Sequence, residues 1–227
     1  MATAAPTPVP ATDQPARSRR WILVAIICAV CLVGVKYVQA QRQVARNATC
    51  RGRLGQIALA LQNLNQETGS LSPLTINDDR GNQLFSWRVR LLPYLDENEF
   101  YSELDLSKPW NSPKNVAVAN RASTATTIRF RSPNDFGSSS DDTSFVAIEQ
   151  AGTRRVAIVE IHSTGIHWME PRDLSRAEIL ARMAGMLNRG EAVHILTADG
   201  RVGTIADSSL TFFGSVDDLF DQWLALR

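Results

Sequence analysis

The chain has 227 residues, 44% of them hydrophobic and 21% charged, with 24 Lys and Arg against 23 Asp and Glu and a net charge of +1. A balance this close to neutral excludes a broad basic field, and with it a nucleic-acid partner. The apolar content is enough for one modest core.

Residues 1–20 are rich in Pro, Ala and Thr, show no hydrophobic periodicity and close on Arg17, Arg19 and Arg20; they are expected to be a disordered tail. Residues 21–38 follow as an apolar run in which Lys36 is the only charge. A helix of that length measures roughly 27 Å, against a hydrocarbon thickness of about 30 Å. Trp21 and Tyr37 suit the two interfaces, and Lys36 reaches outward by snorkelling. A transmembrane helix over 21–38 is the expectation, with the lipid bilayer as its partner, and the arginines before it argue against a buried core helix. A cleavable signal peptide is the alternative, because Val38-Gln39-Ala40 places small residues at the cleavage spacing and a cut would leave Gln41 first. Charge leaves the orientation open, since Lys36, Arg42, Arg46, Arg51 and Arg53 follow the run. At most, that basic cluster touches lipid head groups.

Cys28 and Cys31 lie within the apolar run and read as small apolar residues despite their C-x-x-C spacing. Cys50 stands alone in the remainder and has no internal disulfide partner. Leu54, Ile57, Ala58, Leu61 and Leu64 then recur at intervals of three and four, marking one apolar helical face that Gly69 ends. One long helix from about Arg20 to Glu67 is expected, with Gly52 and Gly55 permitting a bend.

The stretch 71–84 reads as a loop around Pro73 and the turn cluster 77–81. Short helices are expected after Ser86, at Asp96 and Glu99, which have capping-box spacing, and at Ser112-Pro113. Strands are expected at 127–131, 144–149 and 155–161, and a helix at 176–188 with Ser175 as N-cap and Gly190 as stop. Asp199-Gly200 joins 192–197 to 201–206 as a hairpin. A closing helix from Ser215 would bury Val216, Leu219, Phe220, Trp223 and Leu224.

Three stretches carry a resemblance: Ser86-Trp87-Arg88-Val89-Arg90-Leu91-Leu92-Pro93-Tyr94-Leu95, Lys108-Pro109-Trp110-Asn111-Ser112-Pro113-Lys114-Asn115, and His167-Trp168-Met169-Glu170-Pro171-Arg172-Asp173-Leu174. Together they resemble the domain of unknown function 1559, a large planctomycete family of pilin-like proteins. Leu54-Gly55-Gln56-Ile57-Ala58-Leu59-Ala60-Leu61 is similar to its first helix and Ala198-Asp199-Gly200-Arg201-Val202 to its late hairpin, so the likeness spans roughly Thr49 to Ala206. The resemblance implies a pilin-like α+β fold: a long N-terminal transmembrane helix continuing into a head, residues 39–227, with a mainly antiparallel sheet outside the cytoplasm, as in type II secretion pseudopilins. A prepilin would carry Gly before the apolar run and Glu near its fifth position, whereas here Arg20 precedes Trp21 and Ile26 and its neighbours are uncharged. Processing by a prepilin peptidase and filament assembly therefore stay open. The family often pairs a cysteine near Cys50 with one before a Ser-Pro, where this chain has Arg131. That leaves Cys50 as a passive residue or an intermolecular bridge.

No catalytic constellation is apparent, and neither a cofactor nor a metal is expected. His162, His167 and His194 with Glu160, Glu170, Asp173 and Asp199 supply ligand types without the spacing that sets ligands on one helical face. Ser163 does not sit in a Gly-x-Ser-x-Gly elbow. A candidate interaction surface comprises Trp87, Arg88, Trp110, Trp168, Glu170, Arg172 and Asp173, since Trp and Arg anchor interfaces. The competing reading has the tryptophans filling core gaps, pinned by Arg-to-carboxylate pairs. The expectation is thus a single-pass inner-membrane protein, its C-terminal head facing the periplasm or exterior, without enzymatic activity. It would act in structure or interaction, with itself or other envelope proteins. A tethered ligand or solute binder is the alternative, and a metal-dependent hydrolase ranks last.

Overall fold

The computed structural model describes residues 15–71, 74–121, 129–150, 155–197 and 199–206. Helix α1 (Pro15–Thr68) is unbroken through Gly52 and Gly55 and contains the apolar run. From Trp21 onward it is long and apolar enough, by length and composition, to cross a membrane. The chain divides into two compact units, Met1–Ala45 and Arg46–Arg227, with the boundary inside α1. In the first unit the apolar side chains of the run, Ile22, Leu23, Ile27, Val30, Leu32 and Val33 among them, are all exposed.

The second unit is an α+β head. Its centre is a four-stranded antiparallel sheet, in the order β3 (Phe145–Gln150), β4 (Arg155–Glu160), β5 (Val193–Leu196), β6 (Val202–Ile205). Side chains alternate between the sheet's two faces, and each face is covered. Phe145, Ala147, Ile158 and Leu196 pack with Cys50, Leu54, Ile57, Leu61 and Leu64 of α1 and with the helical middle of the chain. Val146, Val159, Val193 and Ile195 pack with Ile179, Met183, Met186 and Leu187 of helix α5 (Arg176–Asn188). Alternating apolar strands buried on both sides therefore hold a three-layer head together, each fully buried Leu or Ile contributing about 1.5–3 kcal/mol.

Helix α5 is bounded as its sequence demands. Ser175 Oγ accepts from the Glu178 amide at 3.3 Å while Glu178 Oε2 accepts from the Ser175 amide at 2.8 Å, a complete capping box. At its end Gly190 takes a left-handed φ of 73°, and Glu191 N–H donates to Met186 O at 3.0 Å. The β5–β6 hairpin closes through Gly200, at φ 85°.

The middle third holds the two-stranded pair β1 (Ile76–Asn77) and β2 (Gln83–Phe85), helix α2 (Trp87–Arg90), a 3₁₀ turn (Leu92–Leu95), and helices α3 (Asn98–Glu103) and α4 (Pro113–Ala119). The β1–β2 pair corrects the expected loop over 71–84: Asp78 Oδ1 accepts from the amides of Arg80 and Asn82, at 2.9 and 2.7 Å, and folds the turn into a hairpin too short to show alternation. Ser86 sits at the start of α2 but does not cap it, because its hydroxyl donates to Trp168 O at 2.7 Å. The capping box expected from Asp96 and Glu99 is also corrected, since α3 begins after Glu97 without a side-chain cap and Asp96 adopts φ 60°. Residues 129–131 form a turn where a strand was expected. Residues 127 and 128 and the helix expected from Ser215 lie outside the described residues.

Candidate functional site

A cluster of buried polar side chains lies on the α1-facing side of the sheet. Ile158 pairs with Leu196 and Val159 with Ile195, so Glu160 and His194, each two residues from the first pair, stand opposite one another on the same face. Both are fully buried. Glu160 Oε2 lies 2.5 Å from His194 Nδ1 and accepts the His194 amide at 3.1 Å. Its other oxygen accepts from the Ser132 hydroxyl and meets His162 Nε2 at 3.1 Å. His162 Nδ1 in turn lies 2.9 Å from Glu191 Oε2.

Cys50 enters this group from α1, its buried thiol facing Glu160 and Ser132. One ligand atom from each of Cys50, Glu160 and His194 falls within 4.8 Å of the others. Beside them Arg53 Nη1 donates to Arg131 O.

The electrostatics follow from a carboxylate buried away from solvent. Burial opposes ionisation of Glu160, but hydrogen bonds from His162 and His194, attraction to His194 and the Ser132 hydroxyl hold its carboxyl far below the usual range. Burial likewise opposes a charge on His162, yet its bond to Glu160 and the charges of Glu160, Asp135 and Glu191 raise it above an ordinary imidazole. His162 thus lies between two carboxylates, 3.1 Å from Glu160 and 2.9 Å from Glu191. Burial, reinforced by the Glu160 charge, pushes the Cys50 thiol well above its ordinary value. A thiol held protonated is no nucleophile, and an intermolecular bridge through fully buried Cys50 would require the head to open.

The other singled-out histidine and acidic residues do not join the cluster. His167 stacks on Trp110 at 4.7 Å, Glu170 pairs with Arg172 at 2.8 Å, and Asp199 pairs with Arg201 at 2.5 Å. Asp173, itself partly buried, belongs to a second network around the buried Arg88, accepting from Trp87 Nε1 at 2.9 Å and Arg88 Nη2 at 2.5 Å. Arg88 also donates from Nε to Thr143 Oγ1 at 3.1 Å, from Nη2 to Phe145 O at 2.6 Å, and lies 4.6 Å from the Trp87 ring centroid.

This placement corrects the candidate surface built from Trp87, Arg88, Trp110, Trp168, Glu170, Arg172 and Asp173. Trp87, Arg88 and Trp168 are at most 2% exposed and form part of the interior. Phe130 lies between the two tryptophans, edge-on to Trp87 and stacked on Trp168, both at 6.0 Å. Trp110 is partly buried against His167, leaving Glu170 and Arg172 as an accessible ion pair.

Sequence reasoning singled out Cys50 as a lone thiol without joining it to Glu160 and His194, and passed over Ser132. Cys50 had a signal: it precedes Leu54, Ile57, Leu61 and Leu64 at the same helical spacing and is the first member of their buried stripe. Ser132, on an irregular loop, had none.

A separate groove of about 500 Å³ runs between α1 and the β5–β6 turn, lined by Ala58, Gln62 and Asn65 on one side and Leu196, Thr197 and Asp199 on the other. A family model described as "Protein of unknown function (DUF1559)" matches residues 39–182. No curated protein and no solved structure matches the chain.

Proposed function

Because the chain belongs to the DUF1559 family of proteins of unknown function, we propose that it is a membrane-anchored, pilin-like component of the cell envelope that works through structure and interaction. The observation carrying this reading is α1. One helix supplies both an exposed apolar run of membrane length and, from Cys50 to Leu64, the spine of the head's core. In this reading the run spans the inner membrane with the head on the periplasmic or outer side, and neighbouring copies or other envelope proteins are the partners, met through the small and apolar side chains of the lipid segment. A non-catalytic role accords with the protonated, buried Cys50 and with carboxylates and imidazoles that bond one another.

The test is fractionation and crosslinking in native membranes. The intact protein should sediment with membranes, resist extraction by high salt or carbonate, and crosslink to itself or to another envelope protein in a detergent-sensitive way. Recovery in the soluble fraction, or concentration-independent monomers under crosslinking, would refute the reading.

A second reading rests on the groove beside α1. Its volume suits a small molecule, and Gln62, Asn65, Thr197 and Asp199 offer polar contacts beside Ala58, Leu61 and Leu196. A tethered solute-binding head would then show a saturable rise in melting temperature with its solute, lost in Gln62→Leu.

A further inference from the structure

Asp135 and Phe136, neighbours on the loop before β3, reverse the usual division between inside and outside. The Asp135 carboxylate is 4% exposed, whereas the Phe136 ring is 76% exposed, more than any other large apolar side chain among the described residues of the head. The backbone on either side of the ring is fastened. Asp135 Oδ2 accepts from the hydroxyls of Ser138 and Ser144, at 2.6 and 2.8 Å, and from the Ser163 amide at 3.0 Å. Arg131 Nη2 donates to the carbonyls of Asp135 and Ser138, at 3.1 and 2.9 Å. Gly137 packs so closely that a Cβ there would meet Ser163 Oγ at 2.8 Å. A loop held at both neighbours of Phe136 presents the ring outward with little conformational freedom left to lose on contact.

A single exposed apolar side chain is ordinary on a protein surface, but this one is accompanied by a cation. The Arg46 guanidinium carbon lies 5.4 Å from the centroid of the ring. The loop is joined to α1 at the same place, where Arg46 Nε donates to Asn134 Oδ1 at 3.2 Å and Asn134 Nδ2 donates to Asn47 Oδ1 at 3.0 Å. Arg46 follows Val38, the end of the apolar run, by eight residues, a span of at most about 29 Å in any conformation. A bilayer that holds the run is therefore within reach of the ring. Tethering raises the effective concentration of that surface, so a contact too weak to recruit a detached head becomes populated. The boundary between head groups and acyl chains accepts this pairing, with the ring entering it and the guanidinium meeting lipid phosphate. Asp141 and Asp142, farther along the loop, temper the attraction to anionic lipid, so the ring contributes more than the charge.

We propose that Phe136 and Arg46 form a membrane-surface contact, through which the tip of this loop rests in the head-group layer of the bilayer that carries the apolar run. The inference deepens the envelope reading and rests on the run being lodged in lipid.

The experiment uses the full chain with Cys28→Ser and Cys31→Ser, reconstituted into vesicles of phosphatidylethanolamine and phosphatidylglycerol, with an environment-sensitive fluorophore on Ser140→Cys. Cys50 is buried and takes no label. Flotation with the vesicles is scored first, and the fluorophore should then be quenched by lipid carrying a nitroxide on its head group. Phe136→Ser should lower the ratio of docked to undocked loop roughly tenfold. Arg46→Gln should lower it about fivefold, a loss that shrinks in phosphatidylcholine vesicles. Protein that floats with its fluorophore unquenched, or quenched equally in Phe136→Ser, overturns this inference and leaves the envelope reading standing; protein that does not float overturns both. In native membranes Phe136→benzoylphenylalanine should photocrosslink to lipid, and capture of a protein in its place also overturns the proposal.

Discussion

Arg88 and Asp173, 85 residues apart in sequence, meet inside the head at 2.5 Å, with Asp173 also accepting from the indole of Trp87 at 2.9 Å. Burial pulls the Arg88 guanidinium below and the Asp173 carboxyl above their ordinary values, each opposed by the other's charge. Desolvation dominates on both sides, as expected for an ion pair that specifies geometry more than it stabilises. Arg88→Met should therefore cost about 3–5 kcal/mol by leaving Asp173 uncompensated. The double variant Arg88→Met, Asp173→Leu should recover most of that loss. Denaturant titration of the four proteins checks it, and a double variant as unstable as the worse single would contradict the argument.

The Glu160 cluster sets a pH window for stability. The folded carboxyl of Glu160 is depressed, so its contribution is complete above the unfolded value of about 4.3 and is lost as pH falls further. His162 is raised, so its contribution is complete below about 6.5 and is lost as pH climbs through the folded value. Melting temperature should peak between these limits, and Glu160→Gln should flatten both slopes.

Leu54 and Ile57 are fully buried on the α1 stripe. Leu54→Ala or Ile57→Ala should destabilise the head by about 2–5 kcal/mol through the cavity left behind. Leu59→Ala, at a position 59% exposed, should change little. Equal losses at Leu54 and Leu59 in denaturant titration would contradict the assignment of faces.

Asn115 explains the Lys108–Asn115 motif. Ser112 caps α4, with Pro113 at its first position, and this delivers Asn115 inward. There its Oδ1 accepts the Asp105 amide at 2.8 Å and its Nδ2 donates to Asp105 O at 3.1 Å and Pro109 O at 3.0 Å. Asn115→Asp replaces the donor with an acceptor facing carbonyls and should cost about 2–3 kcal/mol at neutral pH. The loss should shrink as the new carboxyl protonates, which thermal melts from neutral pH to pH 4 would follow.

The long helix, the face from Leu54 to Leu64, the capped α5 and the β5–β6 hairpin were legible because local chemistry and burial agree in them. Ser175, Gly190 and Gly200 act where their backbone roles place them. Expectations went astray where tertiary partners override local preference, as when Ser86 spends its hydroxyl on Trp168 O in place of a cap. Asp96 takes a left-handed turn, and Glu97 becomes the N-cap position of α3. Glu160 and His194 were half legible: strand alternation fixes their face once the register is known, but register between strands separated by α5 is not a local property. Trp87, Trp168 and Arg88 carry the chemistry of an interface and sit in a core, a distinction that composition does not draw.

Because Cys28 and Cys31 are exposed on the apolar run and Cys50 is sealed at the α1–sheet contact, the chain has two built-in reporters that answer different questions. A water-soluble maleimide reaching the first two measures how well lipid or detergent shields the run. Alkylation of the third times the opening of the head itself, and in membranes the two clocks should run independently.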